Sequence, residues 1–323
     1  MAVPCLDKVP ESCDDFLSEM DPHFQQHALI HLREDPEIRQ QMIAQLRDWI
    51  VKHPRIKNVR TDAIFLLKFL RAKKYNFINV THLLERYLAS KILHRDWFGR
   101  LDIEDPDLSA LVDTGYLFLL PERDSKGRTL WFSTTFELDP TRFTARHACR
   151  LHMMTAELCA ESNEFLCAGF ILVCDFSNIT LAHLNILSIS EIRLLSKVAN
   201  NSIPMRAQEV HFVNVPSAGL TIANLALQLA TENLRNRTFF HKNWEELYQV
   251  VDKNLLPKEC GGKVAKAELI KSFKERCKEM RPLLMAYDEM DMEIANDVEL
   301  GINDKSDQLE LGAIGTFRKL QVD

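Results

Sequence analysis

No two of the eight cysteines, at positions 5, 13, 149, 159, 167, 174, 260 and 277, are spaced as a CxxC pair. That argues against a compact disulfide or zinc framework, and in apolar runs a free thiol behaves as a small hydrophobe. No stretch reaches the roughly 18 uncharged apolar residues that a membrane span needs. The first residues, MAVPCLDKVPESCDDF, lack a basic segment followed by an apolar one, so no secretory signal and a reducing, cytoplasmic setting are expected. Basic residues are not in excess: 40 Lys and Arg stand against 46 Asp and Glu, a net charge of −6, which disfavours nucleic acid as a partner. Catalytic signatures are missing as well. There is no GxSxG elbow, and Gly261-Gly262-Lys263 lacks both the earlier glycine and the following Ser or Thr of a phosphate-binding loop. His23, His27 and His31 recur every fourth residue, but no Cys or acid is placed to complete a zinc site. Gly301 lacks the alternating Asp and Asn ligands of a calcium loop. No catalytic residue, metal or cofactor is expected.

What the chain does have is alternation of two patterns. Residues 1–20 carry Pro4, Pro10 and mixed charge and are expected to be irregular. Asp21-Pro22 opens a short helix to about Glu34, and Asp35-Pro36 opens another that Pro54 closes. Thr61 can cap a third helix, and Asn79 begins a fourth that reaches about Trp97. These make a small helical unit over 21–100. The pattern then changes. Gly115–Leu120, Thr129–Thr134, Ala168–Asp175 and Glu209–Asn214 are strand-like, and helices are expected at Thr144–Asn163, Ser188–Asn201, Ala218–Leu234, Asn243–Leu255 and Ala265–Met290. Strands alternating with helices give an α/β domain with a mostly parallel central sheet over 101–285. From Asp288 to Glu310 nine acids meet the single Lys305, so 286–323 reads as an acidic tail.

In Asp62–Lys74 (DAIFLLKFLRAKK), Ile64, Leu67 and Leu70 share one helical face, and Lys68, Arg71 and Lys74 line up opposite. This fits either a solvated face or a stripe that meets anionic headgroups. Together with GFILVCDF (169–176), SIPMRAQEVHFVNVP (202–216) and LLPKECGG (255–262), this segment resembles the spaced signature of the CRAL-TRIO family, in its branch of tocopherol-transfer and retinaldehyde-binding proteins. The resemblance covers about Pro36 to Met280. One departure is Asn178, where many members have glycine; asparagine tolerates left-handed backbone well, so the turn should survive.

The resemblance implies an α/β lipid-binding fold in which a sheet floor and helices enclose an apolar cavity under a mobile amphipathic lid. The lid falls on Ser217–Leu234, whose Leu220, Ile222, Ala223, Leu225, Ala226, Leu227 and Leu229 leave almost no polar face; by pattern alone a buried core helix looks the same. The resemblance also implies a phosphoinositide-binding patch after the lid, with Arg237 and Arg193 at basic positions, Arg235 beside them, and Asn233 where a relative has lysine. Arg71 is a further candidate for membrane contact. The pattern nominates Leu130, Phe132, Leu151, Met154, Leu158, Phe170, Leu172, Ile179, Leu184 and Leu187 for the cavity wall, though each could be plain core. His152, Thr155 and Cys159 are the polar groups able to bond a ligand hydroxyl or carbonyl.

The expected function is therefore an intracellular carrier of a hydrophobic lipid, of tocopherol, retinoid or other isoprenoid type. It would exchange its cargo at anionic membranes, transiently and peripherally. The rival is a phosphoinositide-binding trafficking scaffold in which ligand is incidental.

Overall fold

The computed structural model describes residues 3–228 and 230–294. The acidic-tail expectation from residue 295 onward, Leu229, and the side chains of Ile222, Leu225 and Ala226 lie outside the described residues. The N-terminal part holds α1 (Pro22–His27), α2 (Pro36–Lys52), the short β1 (Ile56–Asn58), α3 (Ala63–Ala72), α4 (Phe77–Leu93) and α5 (Arg95–Phe98). Asp35 caps α2 by accepting from Ile38 N–H at 2.8 Å, the usual work of a carboxylate at a helix start. Asp62, rather than Thr61, caps α3, and Asn76, rather than Asn79, caps α4.

The remainder runs α6 (Pro106–Thr114), β2 (Leu117–Arg123), β3 (Thr129–Thr134), α7 (Ala145–Ala160), α8 (Asn163–Ala168), β4 (Phe170–Asp175), α9 (Leu181–Leu184) and α10 (Ile189–Asn201). It continues through β5 (Ala207–Val213), α11 (Ser217–Gln228), α12 (Glu232–Arg235), β6 (Thr238–His241), α13 (Trp244–Leu247), α14 (Lys266–Glu279), α15 (Arg281–Tyr287) and β7 (Asp291–Met292). The main sheet has five strands in the order β2-β3-β4-β5-β6; β2 is antiparallel to β3, and the other pairs are parallel. Each parallel step moves the same way across the sheet, so right-handed crossovers place all their helices on one face. That face carries α7 through α12. The other is closed by the chain after β6, where Phe132 stacks on Trp244 with centroids 6.3 Å apart.

Several expected elements differ. The single helix over 243–255 is only α13 followed by a 3₁₀ turn at Lys253–Leu255, because the β-branched pair Val250-Val251 resists a helix and Asp252 caps the next turn instead. The long helix over 265–290 breaks before Arg281, since Pro282 has no N–H to continue it. The helix over 144–163 ends at Ala160, and Ser162 starts α8 by accepting from Phe165 N–H. Helix α6, strand β6 and the β1–β7 pair were not anticipated; α6 opens on Asp105-Pro106, the same signal that marks α2.

Helix α3 shows no solvated stripe. Every residue from Phe65 to Arg71 is buried, because the helix is wedged between the N-terminal helices and α7 and α8. Arg71, 1% exposed, grips Glu34 with two hydrogen bonds of 2.6 and 2.8 Å and donates to Asn163. It therefore cannot touch a lipid headgroup. Lys68 donates to Glu157 at 2.7 Å, and Tyr87 donates to the other carboxylate oxygen at 2.6 Å. Lys91 Nζ lies 3.4 Å from the same carboxylate without a well-formed hydrogen bond.

The segment LLPKECGG has a backbone reason for its glycines. Gly261 sits at φ +92°, and a Cβ on Gly262 would fall 1.6 Å from the Leu256 carbonyl oxygen, an overlap only backbone displacement can relieve. Gly262→Ala is expected to cost about 2–4 kcal/mol, the range of a severe single substitution. It should lower the urea midpoint at unchanged slope; an unchanged midpoint would show that the loop yields freely.

Candidate functional site

Residues paired in register lie on the same side of a sheet, and successive residues alternate. Trp131 pairs with Leu172 and Leu172 with Val210; Cys174 pairs with Phe212 and Phe212 with Phe240. These side chains therefore share the face beneath α7, α10 and α11. The opposite face takes Leu130 and Phe132, which pair with Ile171 and Val173. Leu130 and Phe132 thus cannot line a cavity with Phe170 and Leu172. They pack in the core on the far side, Phe132 against Phe118 and Trp244.

Accessibility varies along β4. Ile171 and Val173 are 1% and 0% exposed, yet Leu172 between them is only half-buried, as is Phe212 on the next strand. A mid-strand residue keeps accessible surface only where something other than close-packed protein stands before it. The segments that cross this face beyond that hollow carry half-buried apolar side chains packed against the main core: Ile186 and Leu187 before α10, Leu194 and Leu195 on it, and Ile203 and Met205 after it. Phe212 stacks on Phe240 at 5.3 Å and meets Phe176 edge-on at 5.5 Å.

Polar groups near the hollow are neutral. Burial holds the His152 imidazole below its ordinary pKa and pushes the Tyr116 phenol above its own. Burial likewise drives the Cys149, Cys159 and Cys174 thiols up to about 12, which leaves them inert as nucleophiles. His152 Nδ1 donates to the Ala148 carbonyl at 2.9 Å, and its ring meets Tyr116 at 5.6 Å. Thr155 donates back along its helix to Leu151 at 2.8 Å, so its hydroxyl proton is taken. Cys159 lies against Trp131. Leu151, Met154 and Leu158 are 0% exposed within the main core, and Phe170 stacks on Trp131 at 4.3 Å. Ile179, Leu184 and Leu187 are half-buried. Among these described residues no nucleophile stands beside a base.

Helix α11 packs against α10. Leu184 comes within 3.4 Å of where a Cβ on Gly219 would sit, tying α9 to the start of α11. Leu220 is 36% exposed, and Ala223 and Leu227 are half-buried. Arg235 closes the helix's far end by donating to the Ala230 carbonyl at 2.9 Å. Arg237 donates to the Ala207 carbonyl at 3.0 Å. Beside it is Arg206, whose charge is disfavoured first by burial and also by Arg237 and Arg71. Arg193 is half-buried on α10 and forms no ion pair with a described residue. The arginine next to Arg237 is thus Arg206, which lies in the SIPMR block.

Comparison with known proteins settles the family. A profile of the CRAL/TRIO domain matches residues 113–262. Clavesin-1 of Xenopus laevis is 31% identical over 75% of this chain and 74% of its own length. The chain belongs to the CRAL-TRIO family. Clavesin-2 of Homo sapiens is 30% identical over 75% of each chain. Crystalline Sfh5 overlaps with a TM-score of 0.45 at 14% identity, across 93% of this chain and 100% of that one, a likeness too loose to bear on the site.

The CRAL-TRIO family is one of lipid-binding and lipid-transfer proteins. Its signature blocks occupy defined places here. GFILVCDF is β4, and Asn178 after it adopts φ +61°, the left-handed turn that asparagine was expected to tolerate. SIPMR leads into β5, and LLPKECGG is the glycine-dependent loop after α13. Among the described residues no helix is long and apolar enough to cross a membrane, and no group of three or more His, Cys, Asp or Glu is placed to hold a metal.

Proposed function

We propose that this protein is a cytoplasmic carrier that holds one uncharged, largely apolar lipid between the α10–α11 face of its sheet and α11, and exchanges it at anionic membrane. The observation that carries this reading is the contrast within β4: half-buried Leu172 between Ile171 and Val173, which are almost fully buried. Each methylene brought into such a hollow contributes about 0.8 kcal/mol, so an isoprenoid chain needs no charged anchor. Because His152 uses Nδ1 as donor to Ala148, its neutral ring leaves Nε2 as an acceptor for a ligand hydroxyl. That favours an alcohol or phenol over a carboxylic acid. Helix α11 is the lid in this reading, with Arg206 and Arg237 near its base meeting anionic headgroups. The sequence of events is binding, docking, opening and exchange; no covalent step is required.

The test is organic extraction of the folded protein followed by mass spectrometry, together with transfer of a fluorescent isoprenoid alcohol between vesicles. A stoichiometric neutral lipid and accelerated transfer are expected. Absence of any extractable lipid, together with failure of the probe to bind, would sink the carrier reading.

A further inference from the structure

A cavity of about 590 Å³ lies where α5, the N-terminus of α7 and the start of α10 meet, with Ile186 in its wall. Arg100, Arg146, His147 and Arg150 line it, with Asp96 and Glu191 as the opposing carboxylates. Its charge is organised around Asp96, whose carboxylate lies 3.1 Å from Arg100 Nη1 and 3.9 Å from Arg146 Nη1. Arg146 is held over the Trp97 ring at 5.4 Å, which fixes its direction without using its N–H groups. Arg150 is 7% exposed. Its Nη2 donates to the Arg100 carbonyl and, at 2.9 Å, to Asp105, while its Nε is buried with no partner.

The cavity therefore brings together three guanidinium groups, one of them buried with an unused donor. The first turn of the 16-residue α7 adds N–H groups that no helical bond can satisfy. Guanidinium forks match the spacing of phosphate oxygens, and a helix N-terminus adds favourable potential for an anion. Glu191 is already engaged by Ser188, whose backbone N–H and hydroxyl both donate to it, so it competes weakly. Asp96 is the carboxylate that an incoming anion would displace.

We propose that this cavity binds a phosphate monoester, at a site separate from the Arg206–Arg237 pair. The inference stands on these residues alone and does not depend on the lid reading. The same chemistry occurs in a phosphorylated lipid headgroup and in a free organic phosphate, and the experiment distinguishes them.

Titrate the full chain at low salt with inositol trisphosphate by calorimetry, and separately with phosphatidylcholine vesicles containing a phosphatidylinositol phosphate. The Arg100 and Arg146 side chains are 61% and 53% exposed, so the double variant Arg100→Gln/Arg146→Gln should fold normally. It is expected to bind the soluble phosphate about tenfold or more weakly, as loss of charged hydrogen bonds implies. Asp96→Asn should tighten binding about threefold by removing the competing charge. Parallel loss on vesicles identifies a lipid headgroup; loss confined to the soluble ligand identifies a free phosphate. No binding by the wild-type chain, or equal binding by the double variant, overturns the site.

Discussion

Glu157→Ala should lower the stability of the fold by about 3–5 kcal/mol, the cost of leaving buried charge without its counter-ion. Glu157 is 2% exposed, and its carboxylate is the common partner of Lys68, Lys91 and the Tyr87 hydroxyl. Removing it strands two ammonium groups inside the core. Although burial raises its pKa, the nearby lysines and its hydrogen bonds outweigh that and hold it down at about 2. The folded value is depressed, so the unfolded chain binds more protons in acid. The stabilisation is complete above the ordinary carboxylate value of about 4.3 and is lost as pH falls through about 2. Wild type should thus lose about 3 kcal/mol across that window from this group alone, whereas Glu157→Gln should lose much less. Urea midpoints at neutral pH and at about pH 3 read both effects. Replacing Lys68, Glu157 and Lys91 together by methionine should recover most of the loss, since an apolar cluster carries no desolvation cost. A single variant as stable as wild type would show that water reaches the cluster.

The same cluster marks a limit of sequence reading. Lys68 and Arg71 repeat at helical spacing, and local pattern gives no reason to bury them. Their partners, Glu157 and Glu34, lie 89 and 37 residues away, and a distant carboxylate is what permits burial. The mostly parallel sheet was legible, because runs such as GFILVCDF between helices have few other solutions. Which face each residue takes was not legible. When both faces are covered, alternation carries no mark of polarity, so Leu130 and Phe132 looked as suitable as Trp131. Tyr116, Cys174, Val210 and Phe212 were missed for the same reason. Counting two residues on from Leu172 would have nominated Cys174, but only register joins it to Phe212. Arg206 was hidden because its nearness to Arg237 arises from the pairing of β5 with β6, whose partners such as Val210 and Thr238 are 28 residues apart in sequence.

Leu172→Phe should slow lipid transfer more than about tenfold while changing stability by less than about 1 kcal/mol. The neighbouring substitution Val173→Phe should do the reverse, costing about 1–3 kcal/mol through overpacking with transfer largely preserved. The two positions are adjacent on one strand and differ only in face. Val173 is 0% exposed and pairs with Phe132 and His211, so added volume there must push on the Trp244 side of the core. Leu172 is half-buried and faces the hollow, where a phenyl ring can occupy space otherwise open to the ligand. A cavity that loses its ligand volume forfeits about 0.8 kcal/mol for each methylene excluded, so two displaced methylenes already exceed a tenfold loss of affinity. Urea titration and vesicle-to-vesicle transfer, run on both variants, separate the cases. If Leu172→Phe destabilises the protein as much as Val173→Phe does, the face beneath α11 is packed protein and the lipid must lie elsewhere. If it is stable and still transfers lipid at the wild-type rate, the hollow exists but is not the site.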